Sequence, residues 1–311
     1  MRQSEERYIS LLTDFGFKRI FGTDPNKDLL INFLNSLFNG EEVIKDVRYL
    51  NSENVGDVYT ERKAIFDVYC ENERGEKFIV EMQNAYQTFF KDRSLFYSTF
   101  PIREQAPKSS DWNFCLKKVY VVALLNFKMS DEAFDSSDTI HTIALMDTKT
   151  NKVFNAKLMF KYVEVGRFDK ADNELTSLSD KWMYVLKNLS RLDDRPAALR
   201  EKIFTKLFDA AAIARFSPTE LREYEDSLKA YRDIKNSLDT AKAEGRAEGR
   251  AEGRAEGRAE GRAEGRAEGR AEGRAEVRAE VAKTMMEKGM DVKIIASLTG
   301  LSEEEIKSLS K

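Results

Sequence analysis

Histidine is almost missing from this chain: His141 stands alone among 311 residues. That disfavours centres built on two or more histidines, the HNH, HD-type and His-hydrophobe-His sites among them, and Cys/His zinc sites as well. His141 itself lies in a strand-like run, Thr139–Leu145, where a structural or exposed role is expected. Cysteine is scarce too. Cys70 and Cys115 both sit in apolar runs, so they read as small buried hydrophobes, with no disulfide framework and a reducing cytosol as the expected compartment. No apolar stretch reaches the roughly 18 residues of a spanning helix, and no signal-like apolar segment opens the chain, so no membrane partner is expected. A surplus of charge is missing as well. Lys and Arg number 51 against 54 Asp and Glu, a net charge of −3, which leaves no global field to attract nucleic acid. Phosphate contacts would have to come from local clusters: Lys18-Arg19, Lys91 with Arg93, or Lys117-Lys118. The metal chemistry left open is that of oxygen ligands and Mg²⁺ or Mn²⁺.

Acids are present in a suggestive place. Two apolar runs, residues 64–70 and 77–83, flank the turn-like segment Glu71–Glu76, the composition of a β-hairpin. A three-residue loop, Glu73-Arg74-Gly75, puts glycine where φ > 0 is needed. Asn72 then faces Glu76, and Asp67 faces Glu81. Directly opposed residues share a face, with Cβ atoms about 4.5–5.5 Å apart, and Gln83 joins Glu81 on that face. A slip of one residue in register would undo the arrangement. Two readings are open. The face is solvated, with Phe66, Val68, Phe78, Val80 and Met82 on the buried side. Alternatively the acids share a cation, since opposed carboxylates repel unless a proton or cation lies between them.

Asp67 followed by Glu81-x-Gln83 resembles the core of the PD-(D/E)XK nuclease superfamily, in which Asp and (Asp/Glu)-x-Lys usually occupy neighbouring strands. Gln83 in place of the lysine is similar to the branch of Rpn-family recombination-promoting nucleases and transposases. The segment Thr13–Gly22 resembles that branch's opening motif. Arg93–Tyr97 and then Val119–Phe127 resemble its next helix and strand. The resemblance covers residues 8–240 and recurs near the C-terminus. It implies a Mg²⁺- or Mn²⁺-dependent DNA endonuclease associated with recombination or mobile elements. Asp67 and Glu81 would be metal ligands and catalytic residues, with Gln83 and Asp14 beside them, and Lys18, Arg93 and Tyr97 would contact substrate. Gln83 can donate a hydrogen bond but carries no charge, so positive charge must come from the metal or from Lys18 or Arg93. Asp14 reads equally as a helix N-cap, and Arg93 and Tyr97 as packing and surface charge. The alternatives are a catalytically weak DNA-binding or mobile-element accessory protein, or an interaction protein assembled through its C-terminal part, where a homo-oligomer is allowed.

The expected fold is α/β, a restriction-endonuclease-like core whose mixed sheet is flanked by helices. Helices are expected within 5–38, a strand over Val43–Asn51, and a helix over 88–106 with Phe89, Phe90, Leu95, Phe96 and Tyr97. A buried strand follows at Val119–Leu125, then strands at 139–147 and 153–165 and helices at 178–191, 196–215 and 217–240, with Trp182 in the core. The domain division reads as a nuclease-like core at 1–130, a strand pair and helical extension at 131–240, a spacer at 241–282 and a tail at 283–311.

The spacer is Ala-Glu-Gly-Arg eight times over, Ala243 to Arg274. Four residues advance about 400° on a helix, so the pattern drifts about 40° per repeat and offers no fixed apolar seam. Glycine at every fourth position costs about 1 kcal/mol each relative to alanine. A partly helical, solvated spacer is expected. The tail reads as three short helices with Gly289 and Thr299–Ser302 at the turns, the shape of a helix-turn-helix. Glu303-Glu304-Glu305 at the start of its last helix opposes major-groove docking and favours a packing or partner role.

Overall fold

The apolar runs become a six-stranded mixed sheet with helices on both faces. The computed structural model describes residues 6–54, 64–106, 113–129, 134 and 137–309, and the chain divides into two units, 1–238 and 239–311. The division expected near residue 130 falls outside the described residues. In chain order the first unit holds α1 (Asp14–Phe21), α2 (Lys27–Phe38), β1 (Val47–Tyr49) and a short pair, β2 (Glu53–Asn54) with β3 (Ala64–Ile65). It continues with β4 (Val68–Asn72), β5 (Lys77–Gln83), α3 (Phe90–Arg103), β6 (Val119–Leu125), β7 (Ile140–Met146) and β8 (Val153–Val163). Helices α4 (Leu178–Asn188), α5 (Lys202–Ala211) and the first turns of α6 (Pro218–Glu287) complete it.

Strand order is β1-β4-β5-β6-β8-β7. The pairs β1/β4, β4/β5 and β7/β8 are antiparallel, while β5/β6 and β6/β8 are parallel. Thus β5, β6 and β8 end at one rim of the sheet. Every residue of β6 is buried, as its uninterrupted apolar sequence requires of a central strand covered on both sides. One face packs Val68, Phe78, Val80, Tyr120 and Val122 against α1, α2, α4 and α5, with Trp182 fully buried there. The other packs Tyr69, Ile79, Val121 and Tyr162 against α3.

Several expectations need correction. Residues 6–12 are not helical: Tyr8 and Ile9 are buried in an extended segment whose Ile9 N–H donates to Ala211 O (3.0 Å), and Leu11 and Leu12 are buried in the turn that follows. Pairing only over Val47–Tyr49 shortens the first strand. On α3 the buried side is Phe90, Ser94, Ser98, Phe100 and Pro101. Phe89, Leu95 and Phe96 face solvent instead. The serines satisfy their hydroxyls on Lys91 O (2.8 Å) and Leu95 O (2.6 Å), so small side chains let the helix lie close to the sheet. Cys70 is buried as expected, but Cys115 is exposed. His141 is structural: its Nε2 meets Glu164 Oε1 at 2.9 Å in a buried network that Arg167 and the Met129 N–H close on Glu164 Oε2.

In the second unit, α6 is helical through the whole repeat, where a partly helical spacer was expected. None of the repeat glycines, Gly245 to Gly273, has a neighbour near its would-be Cβ. The tail follows as α7 (Val292–Thr299) and α8 (Glu303–Ser308) around a core of Ala282, Ile295 and Ile306. Gly289 and Gly300, at φ of 75° and 73°, make its turns. Ser302 caps α8, accepting from the Glu305 N–H while Glu305 accepts from the Ser302 N–H (2.7 Å), so this acid serves the helix end. Among the described residues no helix is long and apolar enough to cross a membrane.

Candidate active site

The loop chemistry fixes the hairpin. Gly75 adopts φ 75°, and the Asn72 N–H donates to Glu76 O (3.0 Å). The register then runs Glu71↔Lys77, Cys70↔Phe78, Tyr69↔Ile79 and Val68↔Val80, which sets Asp67 opposite Glu81 as the turn predicts. Ladder bonding stops at Val68, and side chains take over. Asp67 Oδ2 accepts from the Met82 N–H (2.8 Å), and the Asp67 N–H donates to Glu81 Oε1 (3.3 Å). The chain bends here, which turns Phe66 toward α3 rather than toward the face expected for it.

The solvated-face reading fails, because Glu81 is only 7% exposed. Burial raises its carboxyl to about 8, with the Asp67 charge adding to the effect. Asp67 is likewise pushed up by burial, against the Met82 N–H and the charge of Lys18, which favour ionisation. Among the described residues neither acid closes an ion pair with a lysine or arginine. A buried carboxylate facing a half-buried one is a natural seat for a hard cation. Among the described residues no cluster of three or more His, Cys, Asp or Glu side chains could hold an ion by itself. Two carboxylates match the one or two that Mg²⁺ or Mn²⁺ takes from a protein, with water and phosphate completing the shell. Such a pair fits a Ca²⁺ cage poorly.

Gln83, at the end of β5, is engaged by α3. Arg93 donates one Nη to Gln83 Oε1 and the other to Gln87 Oε1 (2.6 Å). Arginine has only donors, so the Gln83 oxygen must face it and the amide NH₂ is left over as a donor. The guanidinium lies 5.9 Å from the Tyr97 ring centre and 5.8 Å from that of Phe90. Its charge lowers both acids' proton affinity. Burial raises the Tyr97 hydroxyl, and the Glu81 charge adds to that, so Tyr97 borders the same space.

Helix α1 brings Asp14 and Lys18. The N-cap is Thr13, whose Oγ1 accepts from the Gly16 N–H (3.1 Å), so Asp14 is not the cap that its position suggests. Gly16 is required here: a Cβ would lie 2.1 Å from Ser10 O. Lys18 pairs with Asp14 (2.7 Å). Burial would lower the Lys18 ammonium, but Asp14 outweighs it, and Asp67 and Glu81 add to the rise. Asn84 anchors this segment through Leu12 O (2.8 Å), and the Asn126 N–H donates to Gln83 O (2.8 Å). Sequence reasoning missed Gln87, Asn84 and Asn126; only their nearness to the ends of β5 and β6 hinted at them. The other basic clusters are diverted. Arg19 pairs with Glu220 and covers Phe216 at 4.5 Å, Lys118 pairs with Glu42, and Lys91 covers Phe134 at 5.3 Å.

A family model described as PD-(D/E)XK nuclease family transposase matches residues 11–241. A second, described as Rpn/YhgA-like nuclease family, C-terminal HTH domain, matches residues 275–311. Comparison with curated proteins finds no match, and neither does comparison with solved structures.

Proposed function

The chain belongs to the PD-(D/E)XK nuclease family of transposases, and on that premise we propose that it is a Mg²⁺- or Mn²⁺-dependent DNA endonuclease working in recombination or on mobile elements. The observation that carries this reading is the opposition of half-buried Asp67 and buried Glu81, neither of them in an ion pair with a lysine or arginine among the described residues. Those two carboxylates would hold the ion. A bound divalent cation supplies an acidified water and neutralises charge on the scissile phosphate. The Gln83 amide NH₂ donates to the attacking water or to a phosphate oxygen. Arg93 provides the positive charge that Gln83 lacks, and Lys18 and Tyr97 contact the phosphates on either side. Asp14 orients Lys18 and reaches the centre through a water. We assign the protein to a reducing cytosol, in keeping with its two free cysteines.

Gln83 also favours a second reading, a catalytically weak DNA-binding protein that keeps the nuclease fold, because a neutral amide stabilises developing charge less than an ammonium does. Plasmid cleavage separates the two. On the leading reading, supercoiled DNA is cut only with Mg²⁺ or Mn²⁺, and Asp67→Ala and Glu81→Ala each abolish cutting. DNA binding without cutting under any divalent ion supports the second reading, and unimpaired cutting by both variants rules out the site.

A further inference from the structure

The outward side of α3 and the loop before it carry large rings where a surface helix ordinarily carries polar residues. Phe89 is 73% exposed, Tyr86 55% and Phe96 44%. Tyr86 touches Phe127 edge-on, with ring centres 5.7 Å apart. Phe89, Arg93 and Phe96 follow at spacings of four and three, so they form one stripe along the helix. The stripe passes the proposed scissile centre at its middle residue, because Arg93 is hydrogen-bonded to Gln83. Arg93 donates to two neutral amide oxygens, those of Gln83 and Gln87, and no carboxylate among the described residues forms an ion pair with it. The surface thus offers flat apolar faces beside a guanidinium whose hydrogen-bond partners are neutral amides.

A nucleic-acid strand with unpaired bases meets both demands at once. Its bases present π-faces and its backbone an anion at every step. In a duplex those faces are stacked on one another and out of reach. An apolar polypeptide would cover the rings and leave the Arg93 charge unanswered. We propose that Tyr86, Phe89 and Phe96 form a stacking platform for unpaired bases flanking the phosphate received at Asp67, Glu81 and Arg93, so that the preferred substrate is DNA with unpaired nucleotides at the cut. The choice of phosphate rests on the nuclease reading; the platform itself is tested without cleavage.

The test is fluorescence anisotropy of the full chain in EDTA with three probes: a labelled single-stranded oligonucleotide, the same sequence as a duplex, and an abasic strand of equal length. The parent is expected to bind the single strand more tightly than the duplex at equal salt. Tyr86→Ala with Phe89→Ala should weaken single-strand binding by roughly fivefold or more for each ring and leave the abasic strand unaffected. Both rings are more than half exposed, so the variant keeps its fold, which thermal melting checks, and Phe89→Trp should retain binding. Unchanged single-strand affinity in the double variant overturns the proposal. So does an equal loss on all three probes, or a parental oligomer in sedimentation that the double variant dissolves, which would make the stripe an interface between copies. Ring-dependent binding by a protein that never cuts DNA would uphold the platform and remove the nuclease reading.

Discussion

Arg93 donates to the side-chain oxygen of Gln83, so an amide and a guanidinium stand together at the position where the motif that this hairpin resembles has one lysine. The amide supplies a donor and the arginine the charge. Restoring the lysine alone should therefore harm this protein. Gln83→Lys sets two cations against each other and is expected to slow cleavage roughly tenfold, the equivalent of about 1.4 kcal/mol. Combining Gln83→Lys with Arg93→Met should recover most of the loss. Cleavage rates of the three variants, with melting curves as a fold control, check this; a faster Gln83→Lys single variant contradicts it.

The raised Glu81 carboxyl makes stability depend on pH. Its folded value, about 8, lies above an ordinary 4.5, so between the two the folded state holds a proton that the unfolded chain has released. Stability of the metal-free protein should fall as pH climbs through that window and level off above it, by on the order of a few kcal/mol. Asp67, raised in the same direction, adds to the slope. Glu81→Gln cannot titrate and should flatten the dependence. Added Mg²⁺ should stabilise more at about pH 9 than at about pH 5, because protons compete for the same oxygens. Urea unfolding at both pH values, with and without the ion, measures all of this.

Gly16→Ala should be costly although it adds one methyl to a helix. The new Cβ would meet Ser10 O at 2.1 Å, which forces α1 away from the segment that Asn84 anchors. A loss of about 1–3 kcal/mol is expected, with slower cleavage because Lys18 moves with α1. Urea midpoints and cleavage rates report the two effects separately.

Ending the chain after Leu238 removes the second unit and none of the residues assigned to the chemistry. Metal-dependent cutting of a short oligonucleotide at saturation should stay within about twofold of the full chain, as single-turnover rates would show.

How much of this was legible in the sequence depended on how local the cause was. The hairpin register followed from Asn72, Gly75 and the loop between, which dictate geometry over a few residues. Strand β6 was readable because its seven apolar residues must be buried on both sides. The wrong face on α3 came from counting apolar residues: Ser94 and Ser98 are buried because the helix sits close to the sheet, a tertiary demand that leaves Phe89 and Phe96 outside. The segment before α1 looked helical because its apolar residues are dense, yet pairing with Ala211 draws it straight. Most of the candidate site was proposed from the acid motif and the opening motif. The Gln83–Arg93–Gln87 bonds were not, since they exist only once α3 has docked.

The central claim is that Asp67 and Glu81 share one divalent cation. A crystal soaked in Mn²⁺ and measured at the manganese edge tests it most directly. The account predicts a single anomalous peak about 2.0–2.3 Å from one oxygen of each side chain, lost in Glu81→Gln. Cleavage-competent crystals with their manganese bound elsewhere, or with no peak between these two acids, would contradict it.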